Sequence, residues 1–145
     1  MNNAELIITL TLIKGLGRKT INKIIRQGVL NSLETSETID YLKNINLKIK
    51  GIITKDELKY ANEIAKRTIE ICDKEDIKIS TLLDEDFPQK LKNIDDNPVI
   101  IYSKGDYNNL NDKGVAIIGS RNPSLHGVNV SYKISSILSQ KNYTI

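Results

Sequence analysis

Residues 115–127, VAIIGSRNPSLHG, constrain the fold more than any other stretch of the chain. Val115, Ala116, Ile117 and Ile118 form an apolar run without alternation, the pattern of a strand buried on both faces. Gly119-Ser120-Arg121 follows at once, then a polar turn with Pro123 and Ser124, and from Gly127 a helical pattern. A strand that stops at a glycine and turns into a helix is suited to holding an anion. Glycine admits close backbone approach, and the free N–H groups and dipole of a helix start favour negative charge. Arg121 adds a permanently charged planar fork that matches phosphate oxygens. An ordinary strand-to-helix turn with a surface arginine fits the same residues.

Common cofactor motifs are excluded at this turn. A dinucleotide fingerprint needs G-x-G-x-x-G, but the glycine after Gly119 is Gly127. No Gly-Lys-Ser/Thr of a Walker A loop occurs. NAD, FAD and ATP are therefore disfavoured, and no cofactor is expected. What remains is a simple anion pocket that suits a nucleic-acid phosphate or the phosphate of a nucleotide.

The chain has 145 residues, enough for one or two small domains, with 39% hydrophobic and 27% charged residues, as in globular proteins. No apolar run approaches the roughly 20 residues of a membrane helix. The N-terminal apolar stretch has no basic residue before it and reads as a helix of the fold, not a signal peptide. Cys72 is the only cysteine and His126 the only histidine, so neither an internal disulfide nor a soft metal site is expected. The expected compartment is the cytoplasm. The net charge is +3, with a local basic concentration at Lys14, Arg18, Lys19, Lys23 and Arg26.

Residues 3–13 place Leu6, Leu10 and Ile13 on one helical face, with Ile7 beside them. Lys14-Gly15-Leu16-Gly17 breaks the pattern; helical spacing resumes at Ile21, Ile24 and Ile25 and stops at Gly28, a C′ glycine. Helix, Gly-apolar-Gly turn, helix is the outline of a helix-hairpin-helix unit. Backbone N–H groups at Gly15 and Gly17 could meet a DNA phosphate, with Lys19, Lys23 and Arg26 on one face (i, i+4, i+7) beside them. A structural hairpin with a solvated basic face is the plainer account. Thr35-Ser36 can cap a short helix carrying Ile39 and Leu42, and Thr54 with Glu57 forms a capping box opening a long amphipathic helix to about residue 74. Cys72 lies on its apolar stripe and reads as a buried thiol. Residues 1–75 are thus expected to be an all-helical module of about four helices, of a sterile-alpha-motif-like (SAM-like) kind.

The texture changes at Asp76. Residues 77–82 alternate as an edge strand, Asp84-Glu85-Asp86 is an acidic loop without an identifiable partner base, Phe87-Pro88 opens a short helical turn, and Val99 to Tyr102 is a second strand. Val115–Ile118 is the third strand, Gly127–Gln140 a helix with Val130, Ile134, Ile137 and Leu138, and Tyr143-Thr144-Ile145 the start of a fourth strand. The expected fold class is α+β. A helical module at 1–75 precedes, at 76–145, the first part of a doubly wound α/β sheet, with the chain read as the first part of a longer protein.

Three blocks carry a family resemblance. Residues 116–121 (AIIGSR) with 124–127 (SLHG), 87–94 (FPQKLKNI) and 98–105 (PVIIYSKG) are similar, in order and spacing, to the DprA/Smf family of DNA-processing proteins. The resemblance implies a Rossmann-like domain that binds single-stranded DNA, delivers it to the recombinase RecA during DNA uptake and transformation, and forms a homodimer when full length. It implies a binding and mediator role rather than catalysis. DNA phosphates are carried over to Gly119, Ser120 and Arg121. His126 stands where the family often has an aromatic residue; it could stack on a base, or simply pack on the turn. The readings left standing beside this one are a nucleotide-phosphate-binding enzyme of nucleoside monophosphate N-glycosidase type and a fragment that serves only protein contact.

Overall fold

The computed structural model describes residues 2–28 and 54–145. The expected short helix at 35–42 lies outside the described residues. Two compact units divide the chain, Met1–Gly105 and Asp106–Ile145.

In the first unit, α1 (Asn3–Leu12) is capped by the Asn2 side chain, which accepts from the Glu5 amide at 2.8 Å. It was expected to be amphipathic. Instead Leu6, Ile7, Ile8, Thr9 and Leu10 are all buried, so five successive positions face protein on every side. Thr9 is accommodated because its hydroxyl donates to the Glu5 carbonyl at 2.7 Å. After the turn at 14–17, in which Gly15 takes φ +92° and Leu16 is buried, α2 (Arg18–Arg26) begins at an N-cap, Gly17, with no side-chain cap. It ends at Gly28, whose φ of +72° is the left-handed C′ conformation that glycine adopts freely. Helix α3 (Lys55–Lys74) carries the expected capping box: the Glu57 amide donates to Thr54 Oγ1 and the Thr54 amide to Glu57 Oε2, both at 3.1 Å. Replacing Thr54 by Ala should lower stability by about 1 kcal/mol, read from a thermal or urea melt. Cys72 is buried, and desolvation followed by the Asp73 charge pushes its thiol up.

Strands β1 (Lys78–Thr81) and β2 (Ile100–Ser103) pair antiparallel, with Lys78 opposite Ser103 and Thr81 opposite Ile100. A short helix, α4 (Gln89–Lys92), lies between them in sequence. The opening of a doubly wound sheet would pair in parallel; here the only sheet among the described residues is this antiparallel pair. Both strands pack on α1, and Val99 joins the core of Leu6, Ile7, Leu10, Ile13, Leu16, Ile21, Ile24 and Leu58. The division therefore falls after Gly105, past the change of texture at Asp76.

An ion pair ties α2 to the turn before β2. Arg18 Nε donates to Asp96 Oδ1 at 3.0 Å and Arg18 Nη2 to Oδ2, the paired arrangement a guanidinium favours. The Arg18 hydrogen bond, reinforced by the charges of Arg18 and Lys19, holds the Asp96 carboxyl below the usual carboxylate range. A depressed folded-state value stabilises above the unfolded value, near 4, and the contribution is lost as pH falls through the folded value. Asp96→Asn should therefore flatten the acid limb of a melting-temperature profile below about pH 4.

The second unit holds a 3₁₀ turn (Tyr107–Asn111) and α5 (Leu125–Ser139). The expected third strand is corrected: Val115–Ile118 forms no strand, Val115 and Ile117 are half-buried, and Ile118 is 93% exposed. A ladder needs a neighbour, and these residues find one at a single parallel bridge, Gly114 to Thr144. There the Val115 amide donates to the Thr144 carbonyl and the Thr144 amide to the Lys113 carbonyl, both at 2.9 Å. The expected fourth strand, Tyr143–Ile145, is likewise confined to this bridge. Asn142, at φ +58°, turns the chain off the end of α5 toward it.

Candidate nucleic-acid interface

Helix α5 begins two residues earlier than its apolar spacing indicated. Ser124 is its N-cap, its Oγ accepting from the Gly127 amide at 3.2 Å. Pro123 precedes the cap, so the turn of 119–124 delivers the chain directly into a helix start. The first-turn amides of Leu125 and His126 belong to the set that a helix leaves without intrahelical acceptors. Within the turn, the Ser120 hydroxyl donates to the Asn122 carbonyl and accepts from the Asn122 amide, both at 3.3 Å. Ser120 thus shapes the loop with its own hydroxyl, in the manner of a local side-chain turn.

Gly119 was expected to serve a close backbone approach. No protein atom lies within 4 Å of the position its Cβ would take, and its φ is not in the left-handed region. The space beside it is open, so any close approach there comes from a ligand and not from the fold. Arg121 is exposed and makes no ion pair with the described residues. His126 is exposed in the first turn of α5. Gly119, Ser120, Arg121 and His126 lie within one stretch of the chain: an open glycine, a looped serine, a guanidinium unpaired among the described residues and a capped helix start. Such a group offers an anion a fixed charge and aligned amides.

The other predicted residues belong to the first unit. Gly15 and Gly17 lie in the turn between α1 and α2. Lys19, Lys23 and Arg26 are exposed on α2 and line a shallow depression of about 360 Å³ together with Asn22, Gln27 and Asp95. Helical spacing in the sequence marks the three cations. It carries no sign of Asp95, which the turn before β2 brings in from far along the chain.

The acidic loop, noted in the sequence as a cluster without a base, is structural. Asp84 Oδ2 accepts from the Thr81 amide at 2.7 Å and its hydroxyl at 3.0 Å, while Asp84 Oδ1 accepts from Asn3 Nδ2 at 2.7 Å. Asp86 pairs with Lys78 at 2.6 Å. Among the described residues no helix is long and apolar enough to cross a membrane, and no group of three or more His, Cys, Asp or Glu is placed to hold a metal ion.

No curated protein and no solved structure matches the chain. Residues 78–145 are matched by the family model described as DNA recombination-mediator protein A, which bears out the resemblance carried by the blocks at 87–94, 98–105 and 115–127 and relates the chain to that family through this segment.

Proposed function

We propose that the chain binds single-stranded DNA through backbone phosphates at Gly119, Ser120 and Arg121, as a mediator rather than a catalyst. By the family resemblance it then helps load RecA during DNA uptake and recombination in the cytoplasm. The observation that carries the reading is the match over 78–145, which includes this turn, where Arg121 stands exposed beside a capped helix start. Recognition of this kind reads charge and not base identity, so affinity falls with salt and varies little with sequence.

A Rossmann-like setting for the turn is supported by the parallel bridge between Gly114 and Thr144 across α5, the start of a strand–helix–strand crossover. For residues 1–75 the SAM-like assignment rests on the described helices α1, α2 and α3. The homodimer would need apolar surface to bury, and the exposed Ile118, Leu125, Val128 and Ile137 supply it.

The test is fluorescence anisotropy of the full chain with labelled single strands of mixed and homopolymeric sequence over a salt titration. Binding that weakens with salt and is tolerant of sequence is the expected result. Release of free base from nucleoside monophosphates, with no affinity for DNA, would replace this reading by the nucleotide-hydrolase one.

A further inference from the structure

We propose that the α2 face bearing Lys19, Lys23 and Arg26 is a second contact for the phosphodiester backbone of DNA, separate from the turn at 119–121. The nature of the ligand rests on the DNA-binding reading above; the site itself rests on α2.

The three side chains recur at i, i+4 and i+7, rising about 6 Å and then about 4.5 Å along one helix face. On their long stems they can follow successive phosphates of one strand. All three are exposed, and none forms an ion pair with a described residue, whereas Arg18 beside them is tied to Asp96. Lys23 and Arg26 lie in the last turn, where cations complement the helix dipole. Lys19 gains nothing from the dipole; its charge acts at a distance on Asp96, which Arg18 already holds. It lies in the first turn, against the dipole, next to another cation and after an N-cap with no side-chain hydrogen bond. Helix α2 thus departs from the dipole rule at its start, with two adjacent cations and no acid in the first turn, and is held by its buried residues Ile21, Asn22 and Ile24. Departures from local rules collect where a surface is used.

The depression these residues line has the chemistry of a backbone site. Among the described residues its lining is polar and charged and includes no aromatic residue, a composition suited to phosphates. Asn22, 6% exposed, lies in the same wall; its Nδ2 donates to the Asn97 carbonyl at 2.9 Å and its Oδ1 has no donor among the described residues. Asp95 is the one carboxylate among the described residues of the lining and opposes an anion.

These signs of charge give the test two arms of opposite direction. The full chain, the triple variant Lys19→Ala/Lys23→Ala/Arg26→Ala, Asp95→Asn, Arg121→Ala and a charge-matched control (Lys55→Ala/Lys59→Ala/Arg67→Ala on α3) are compared by anisotropy on a single strand and a duplex of one sequence. Each lost phosphate contact lowers the salt slope on a single strand by about 0.7, so the triple variant should lose about 2 in slope and about tenfold in affinity at low salt. Asp95→Asn should bind more tightly, which a misfolded protein would not do. Loss on the single strand, the duplex or both supports the site and tells which form it holds. Unchanged affinity and slope in the triple variant, or an equal loss in the α3 control, overturns it. If Arg121→Ala alone weakens binding, the turn stands and this face falls. If the triple variant alone weakens it, this face stands and the turn falls. A chain without affinity for either DNA overturns both.

Discussion

Replacing Phe87 by Ala should destabilise the chain by about 3–5 kcal/mol, the largest loss expected from a single substitution here. Phe87 is 1% exposed and is the largest fully buried side chain among the described residues. It closes the acidic loop: its amide donates to the Asp84 carbonyl at 3.3 Å, and that same carbonyl accepts from Lys92 Nζ at 3.0 Å. The Lys92 ammonium lies 6.0 Å from the ring centroid, at the limit of a cation–π contact. Truncation would remove the ring's burial and leave a cavity beside Asp84, whose side chain links Thr81 on β1 to Asn3 on α1. Phe87→Leu keeps most of the volume and should lose less than half as much. Urea denaturation decides it: the midpoint should fall with an unchanged slope, and a loss under about 1 kcal/mol would mean that the ring does not support this loop.

Arg121→Ala should weaken binding of single-stranded DNA by about 1.5–3 kcal/mol, roughly 10- to 150-fold, the range of a charge-assisted contact. The folded state should be untouched, because Arg121 is exposed and unpaired among the described residues. Arg121→Lys separates charge from geometry. It keeps the positive charge but loses the planar fork, so an intermediate affinity is expected if two phosphate oxygens are held at once. Both variants should converge on the parent at high salt, where the contact is screened. Equal affinity of Arg121→Ala and the parent, measured at matched low salt with an unchanged melting temperature, would remove the turn from the binding surface.

Much of the local structure was legible in the residues. Thr54 and Glu57 marked the start of α3, Gly28 the end of α2 and Cys72 a buried position, and each is found so. The strands near 78–81 and 100–103 and the turn before α5 were legible too, with ends shifted by one or two residues. These features rest on interactions between near neighbours: a helix bonds each amide to a carbonyl four residues back, and a cap closes within three.

What the tertiary structure decided involves partners distant in the chain. Periodicity gave α1 one apolar face, but β1 and β2 fold onto it along with α3, and its middle, Leu6 to Leu10, is buried all round. Arg18 reads as one of five basic residues until Asp96 arrives beside it, and Asp84 as one of three solvated acids until Thr81 and Asn3 bond to it. The apolar run at Val115–Ile118 has the composition of a buried strand, yet a strand exists only as a ladder with another segment, and pairing stops at Gly114 and Thr144. The sequence by itself determined the helices, their caps and the charges on their faces, because those depend on residues within a turn of one another. Strand direction, ion-pair partners and which cations remain free for an anion depend on residues brought together by folding, and only the tertiary structure decided them.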